Sequence, residues 1–420
     1  MSKEILGGRL WFLSLAAAMG GFLFGYDTAV INGGEQQIQS AWSLSSVMHG
    51  WVMSSALWGT VIGALSGGKV CDRLGRKPTL FWVGVLYLLS AVWSAFAGGP
   101  YSLMLARFIG GVGVGVSSIA APVYISEISP AESRGKLCAL FQFNIVLGMV
   151  VSQVINWLIG SAGLGGATWR WMLGAEAFPA LAFTLLCPFL IESPRWVAMK
   201  ADGSSLTSGK DSASPLGERF FSKANLRPIS LAFCVAMFNQ LSGICAVLYF
   251  ARRVFQLAGC SSETALVVTA WLTVLLGLGT FVGLFLIDRI GRKQMLIWGG
   301  VCYLVSLFPC ALAFIMGWNV LAAACIFLFI FAHAVGQGTV IWVFISEVFP
   351  QKFRAQGQSF GSFTHWMFCA TLTFVFPLMT AKMPTWSIFA LFGTFMVFHL
   401  FWAIFIVPET KGQVLEEIKL

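Results

Sequence analysis

Three ionisable side chains interrupt apolar runs that are otherwise long enough to cross a bilayer: Asp27, Arg107 and Glu176. A charged group at such a depth is costly and faces protein or a water-filled cavity, not lipid. Two carboxyls around one guanidinium make a proton-binding set, because burial and the arginine act in opposite directions on a carboxyl's hold on its proton. With the run holding Asp27 read outward and the other two read inward, all three fall roughly 6–11 Å below the outer helix ends at 1.5 Å per residue. On that reading they can meet. The bland alternative is a static buried ion pair that fixes helix packing.

The elements that must position these groups follow from composition. Of 420 residues, 58% are hydrophobic and only 10% charged, against about 25% charge in a soluble domain. A water-soluble enzyme is therefore excluded, and the lipid bilayer is the expected surrounding. At roughly 20 apolar residues per crossing, runs of spanning length lie near 10–31, 47–70, 79–98, 101–126, 137–159 and 169–191. They resume near 229–251, 264–287, 294–316, 319–346, 358–380 and 385–407. The first run is too long for a cleaved signal peptide and is read as a membrane helix. The expected fold class is an all-α polytopic membrane protein of twelve transmembrane helices. Its expected organisation is a six-helix bundle over 1–191, a short cytoplasmic linker over 192–228, and a second six-helix bundle over 229–420.

Lys and Arg together exceed Asp and Glu by 26 to 17. The excess sits in the loops of one side: Arg73, Arg76 and Lys77; Arg134 and Lys136; six bases in 192–228; Arg289, Arg292 and Lys293; Lys352 and Arg354. That asymmetry places both termini in the cytoplasm and accounts for the basic balance without a nucleic-acid partner. The cysteines, Cys187, Cys234, Cys302, Cys325 and Cys369 among them, fall in apolar runs without metal-ligand spacing. They read as small core residues.

An internal repeat organises the chain. Asp72-Arg-Leu-Gly-Arg-Lys77 recurs 216 residues later as Asp288-Arg-Ile-Gly-Arg-Lys293; Glu127 and Arg134 recur as Glu347 and Arg354, and Glu192 as Glu409. Each copy lies at an inner helix end. A duplicated bundle is an architecture of secondary transporters. One copy alone reads as a topogenic loop with weak surface ion pairs. Two copies at matched positions are expected to form a cytoplasmic ion-pair gate from Asp72, Arg73, Arg76, Glu127 and Arg134, with Asp288, Arg289, Arg292, Glu347 and Arg354. Gly59, Gly63, Gly67, Gly111 and Gly115 follow the small-xxx-small spacing of close helix contact. His49, His333 and His399 stand isolated in sequence and read as satisfied or lining residues. No nucleophile–base pair or metal-ligand cluster emerges, so neither an enzyme nor a cofactor is expected beyond a coupling proton.

Six stretches resemble the sugar porter family of the major facilitator superfamily: Gly21-Phe-Leu-Phe-Gly-Tyr-Asp27, Asp72-Arg-Leu-Gly-Arg-Lys77, Arg107-Phe-Ile-Gly-Gly-Val-Gly-Val-Gly115, Glu192-Ser-Pro-Arg-Trp196, Asn239-Gln-Leu-Ser-Gly243 and Pro408-Glu-Thr-Lys-Gly412. The resemblance spans essentially the whole chain. It implies two pseudo-symmetric bundles, alternating access and a monosaccharide or polyol substrate carried by a functional monomer. Its symporters have an aspartate at the position of Asp27 matched by an arginine at Arg107, which favours proton coupling over facilitation.

The same resemblance implies the substrate residues. A sugar offers several hydroxyls on a partly apolar ring, so amides and an aromatic platform suit it. Gln142 matches the family residue that grips the sugar; Gln153, on the same face, reads as lining or as helix-to-helix glue. Asn239 and Gln240 match a glutamine pair, and Cys245 and Leu276 stand where asparagines are usual. Tyr249 and Phe250 match an outer aromatic gate, Trp342 a stacking tryptophan, and His365-Trp366 an amide–tryptophan pair; Phe24 joins them. Gln337 and Thr339 replace helix-bending prolines. The linker after Trp196 is brief and Ser/Gly-rich, so the family's cytoplasmic helical latch is expected to be largely absent. The expected function is a proton-coupled sugar or polyol importer of the inner or plasma membrane. Alternatives are an uncoupled facilitator, a non-transporting sugar sensor and, more distantly, a membrane-embedded enzyme.

Overall fold

Hydrophobic runs this long can satisfy their backbone groups in lipid only by coiling on themselves. In the computed structural model, which describes residues 3–130, 134–201, 220–350 and 353–411, every one of the twelve runs is helical. The chain divides into two compact units, Met1–Asp211 and Ser212–Leu420.

The first unit holds α1 (Lys3–Ala41), α2 (Ser46–Leu74), α3 (Arg76–Ala95), α4 (Pro100–Ile128), α5 (Arg134–Ser161), α6 (Thr168–Gly174), α7 (Ala177–Leu186) and the short α8 (Pro194–Ala201). The second holds α9 (Leu226–Leu241), α10 (Ile244–Tyr249), α11 (Ala251–Leu257), α12 (Ser262–Ile290), α13 (Arg292–Met316), α14 (Asn319–Val335), α15 (Gln337–Val348), α16 (Arg354–Lys382) and α17 (Thr385–Phe405). Among the described residues eleven stretches are long and apolar enough to cross a membrane. α2 has the length, 29 residues, but Ser, Thr, Gly and His dilute it. Those polar groups point inward: His49, Ser54, Ser55 and Thr60 are all buried.

The duplication is visible in the helix ends. Ser45 caps α2 by accepting from the Met48 N–H, and Ser261 caps α12 by accepting from the Thr264 N–H. Gly75 and Gly291 close those helices at φ 102° and 104°, a region open to glycine and hostile to a side chain. In the first unit the glycine stripe lets α2 and α4 touch through their backbones. A methyl group added at Gly63 would lie 3.0 Å from the Gly115 Cα, and one at Gly67 3.1 Å from the Val116 Cα. The core of this unit gathers Leu80, Val83, Tyr87, Tyr124 and Phe183. Outward faces carry exposed Trp82, Trp271, Trp298, Phe285 and Phe405, a surface that lipid, not water, covers.

Among the described residues three spans are broken, and each has a break at a residue of interest. The sixth is interrupted around Ala175 and Glu176 between α6 and α7. The seventh breaks at Gly243, with φ 90°. The tenth breaks at Gly336 between α14 and α15. There the bend needs no proline: the Gly336 position passes so close to Gly299 that an added Cβ would lie 3.1 Å from its Cα.

One expectation needs correcting. α1 does not end near Ile31 but continues to Ala41, so Asp27 stands about 21 Å, not 6–11 Å, before its end. The polar tail stays helical because it is tied down: Gln37 Oε1 accepts the Trp169 N–H at 3.0 Å, and Asn156 Nδ2 donates to the Val30 carbonyl at 3.0 Å.

Candidate functional site

In the first unit Asp27, Arg107 and Glu176 come together despite the different depth of Asp27 in its helix. Arg107 Nη1 donates to Asp27 Oδ1 at 2.5 Å, and Nη2 to the Asp27 carbonyl at 2.9 Å and to Oδ2 at 3.3 Å. Glu176 Oε2 lies 4.0 Å from the same guanidinium. All three residues are 1% exposed. Gly110, one turn beyond Arg107, opens the space: a Cβ there would lie 3.4 Å from Asp27 Oδ1 and run into the Ser90 side chain. Two carboxylates facing one guanidinium carry an uncompensated negative charge when both are ionised. A buried charge of that kind costs several kcal/mol, a cost that one bound proton would remove.

In the second unit Gln240, His365, Trp342 and Trp366 converge from α9, α15 and α16. Gln240 Nε2 lies 3.2 Å from His365 Nδ1 and donates to Asn239 Oδ1 at 2.9 Å. The Trp342 and Trp366 rings flank His365 with centroids 4.9 and 5.0 Å away. Asn239 and Gln240 are each 1% exposed, yet Gln240 Oε1 and Asn239 Nδ2 have no hydrogen-bond partner among the described residues. Leaving such groups unpaired costs about 1–3 kcal/mol each. An amide acceptor and an amide donor left open beside two indoles suit a ligand that carries hydroxyls on an apolar frame. Tyr249 is buried in α10. Phe24 and Gln142 belong to the first unit, where Phe24 is half-buried and Gln142 exposed. Gln153 is glue: its Nε2 donates to the Ala29 carbonyl at 3.0 Å.

The repeated motifs close into two charge clusters, one in each unit. Arg76 grips Glu127 through Nε and Nη2, both at 2.9 Å, and reaches Asp72 Oδ1 at 3.2 Å. Glu192 Oε1 accepts the backbone N–H groups of Arg76 and Lys77 at 2.9 and 3.2 Å. Burial pushes the Asp72 carboxyl up from its usual range, while Arg76 pulls it down. Arg292, Glu347, Asp288 and Glu409 repeat the pattern. Arg73 and Arg289 are exposed, and Arg289 instead lies 3.9 Å over the Phe285 ring. Glu347 pairs with Arg292, not with Arg354, which joins no ion pair among the described residues. The side chain of Arg134 lies outside the described residues.

The family model for "Sugar (and other) transporter" matches residues 13–420. The chain belongs to that family. The glucose transport protein of Synechocystis sp. is 31% identical over 97% of this chain and 96% of its own length. The D-xylose-proton symporter of Escherichia coli K12 is 29% identical over 100% and 97%. A crystal structure of a D-xylose-proton symporter superposes with a TM-score of 0.85 at 30% identity, covering 96% of this sugar transporter and 99% of that chain. The protein is thus a multi-pass membrane transporter of the major facilitator fold, not an enzyme.

Three features of this transporter escaped the sequence reading. Cys245 and Cys369 are not separate thiols: they are joined as a disulfide, with Cα atoms 5.9 Å apart. Their spacing of 124 residues gives no sign of it; only the packing of α10 on α16 does. Glu35 is a further buried acid, beyond Asp27 and Glu176 in the apolar runs, and its Oε1 lies 3.2 Å from His49 Nε2. It was hidden because it falls in the polar tail beyond Ile31. The histidines are not isolated either. His333 Nδ1 lies 2.8 Å from the Tyr303 hydroxyl, and His399 packs among the Phe238, Tyr303 and Trp402 rings.

Proposed function

We propose that the protein imports a monosaccharide or polyol together with a proton, by alternating access, in the inner or plasma membrane with both termini cytoplasmic and a single chain as the working unit. The observation that carries the coupling is the buried Asp27–Arg107–Glu176 set, which balances its charge only with one proton bound. A proton arriving on Asp27 neutralises it and weakens its charge-assisted bonds to Arg107. Arg107 then turns to Glu176, 4.0 Å away, and α1 is released from α4. Broken spans are where such motion is cheapest in transporters, and Glu176 sits at one of them.

The substrate class follows from the open amide groups of Asn239 and Gln240 beside Trp342, His365 and Trp366. Each amide bonds a hydroxyl, and an indole covers the ring's apolar face. Cys245 and Tyr249 of the same unit complete that set in this reading, and on the first unit Phe24 and Gln142 are assigned to substrate binding by the resemblance alone. Relatives named for xylose, arabinose, glucose and myo-inositol mark the range to screen. The paired ion clusters at the inner helix ends, built on Arg76 and Arg292, act as the cytoplasmic gate, and residues 192–228 link the bundles.

The test is uptake of radiolabelled D-xylose, L-arabinose, D-glucose and myo-inositol into proteoliposomes, with and without an imposed pH gradient. Wild type is expected to accumulate one of them above equilibrium when the gradient is inward, and Asp27→Asn to exchange it without accumulation. Accumulation that survives in Asp27→Asn would remove Asp27 from coupling. Wild type that equilibrates without responding to the gradient would make the protein a facilitator.

A further inference from the structure

The disulfide joins two elements that differ in mobility. Cys245 lies on α10, a helix of 6 residues bounded by the left-handed Gly243 on one side and by Phe250, at φ −119° and ψ 24°, on the other. Cys369 lies in the middle of α16, a continuous helix of 29 residues. α10 is therefore a hinged segment and α16 a fixed post. Other ties between the seventh span and this post are breakable: the Gln240–His365 contact one turn before Cys369, and the Phe250–Phe376 ring pair at 5.0 Å. The remaining described cysteines are free, so this pair is singled out. Cys245 is half-buried and Cys369 wholly buried, so Cys245 is the more accessible of the two.

We infer that Cys245 and Cys369 are a redox-modification site that locks the substrate-binding segment of the seventh span, halting transport when the bond is closed and permitting it when the bond is open. The inference rests on the transport reading above. Closing the bond removes two protons and two electrons from the two thiols. A small-molecule disulfide such as oxidised glutathione accepts them and becomes two thiols. The Cys245 thiolate attacks it to give a mixed disulfide, and Cys369 then displaces the second small thiol. Opening runs the same exchange backwards with a dithiol reductant. A closed bond denies α10 the swing that its two breaks otherwise allow. It also draws the Cys245 sulfur away from any hydroxyl bound at Asn239 and Gln240, six and five positions earlier in the chain.

The experiment uses the full chain in proteoliposomes, wild type and Cys369→Ser, each treated with oxidised glutathione or with dithiothreitol. Peptide mapping after alkylation reads the link, and counterflow of the four solutes named above reads transport. Oxidised wild type is expected to yield the 245–369 linked peptide and to exchange at least tenfold more slowly than after reduction. Cys369→Ser should exchange at one rate in both conditions. No linked peptide after oxidation, or linked wild type exchanging within twofold of the reduced protein, would overturn the proposal. A chain that forms the link but moves none of the solutes in either state would overturn the transport reading, while leaving the modification site standing.

Discussion

Arg292 repeats, contact for contact, what Arg76 does 216 residues earlier. Each guanidinium grips a glutamate through Nε and Nη2, at 2.9 and 2.9 Å for Glu127 and 3.0 and 2.8 Å for Glu347. Each Nη1 reaches back to an aspartate and to a helix carbonyl, and each backbone N–H donates at 2.9 Å to a glutamate after the last span of its unit. The two clusters differ in exposure, with the Glu127 side chain at 6% and that of Glu347 at 20%. That difference makes them experimentally separable.

Removing one partner of a well-buried ion pair strands the other charge, at a cost of about 3–5 kcal/mol. Where water reaches the pair, the loss is nearer to that of a single charged hydrogen bond, about 1.5–3 kcal/mol. Glu127→Gln is therefore expected to lower the melting temperature in detergent more than Glu347→Gln does. Equal losses, or the reverse order, would show that burial does not set the strength of these clusters.

The aspartates of the two motifs should respond differently. Burial raises the Asp72 carboxyl above its usual 3.8. The folded state then holds a proton that the unfolded state has already lost, so stability falls as pH rises through the interval above 3.8 and levels off beyond it. Asp72→Asn is expected to abolish that fall in a pH series of thermal melts. Asp288, with its side chain 80% exposed, has an ion pair worth well under about 1 kcal/mol, and Asp288→Asn should leave the melting temperature at pH 7 unchanged. A pH profile in Asp72→Asn identical to wild type would contradict this account.

At the proposed substrate residues, Gln240→Ala removes an amide whose oxygen has no partner among the described residues. Losing one ligand hydrogen bond of about 1 kcal/mol should raise the KM for uptake by roughly fivefold, and Trp342→Ala, which removes a stacking face worth about 0.5–1.5 kcal/mol, by a similar factor. Because the side-chain bonds of Gln240 are those to Asn239 and His365, the melting temperature of Gln240→Ala should stay within a few degrees of wild type. An unchanged KM for both variants would remove this cluster from the binding site.

Much of this was legible in the chain itself, for definite reasons. Twelve apolar runs leave the backbone no option but helix. The motif Asp72–Lys77 returns as Asp288–Lys293 because the two turns perform the same closure, glycine included. Asp27, Arg107 and Glu176 were recognisable because charge is conspicuous in a hydrophobic run. What stayed hidden depends on packing between segments far apart in sequence. The Cys245–Cys369 bond looks like two ordinary apolar-run cysteines, and Glu35, the partner of His49, lies in a polar stretch that hydropathy assigns to a loop. The bend at Gly336 was obscured because its usual marker, proline, is missing; the close approach of Gly299 does the same work.

The most direct test of the account is a proton measurement. With an unbuffered suspension of right-side-out vesicles containing the protein and no preset gradient, adding the transported sugar should make the external medium more alkaline, as protons enter with it. Asp27→Asn should take up the sugar with no such change. Sugar entry in wild type without any alkalinisation, measured with an electrode that resolves one proton per sugar, would contradict it.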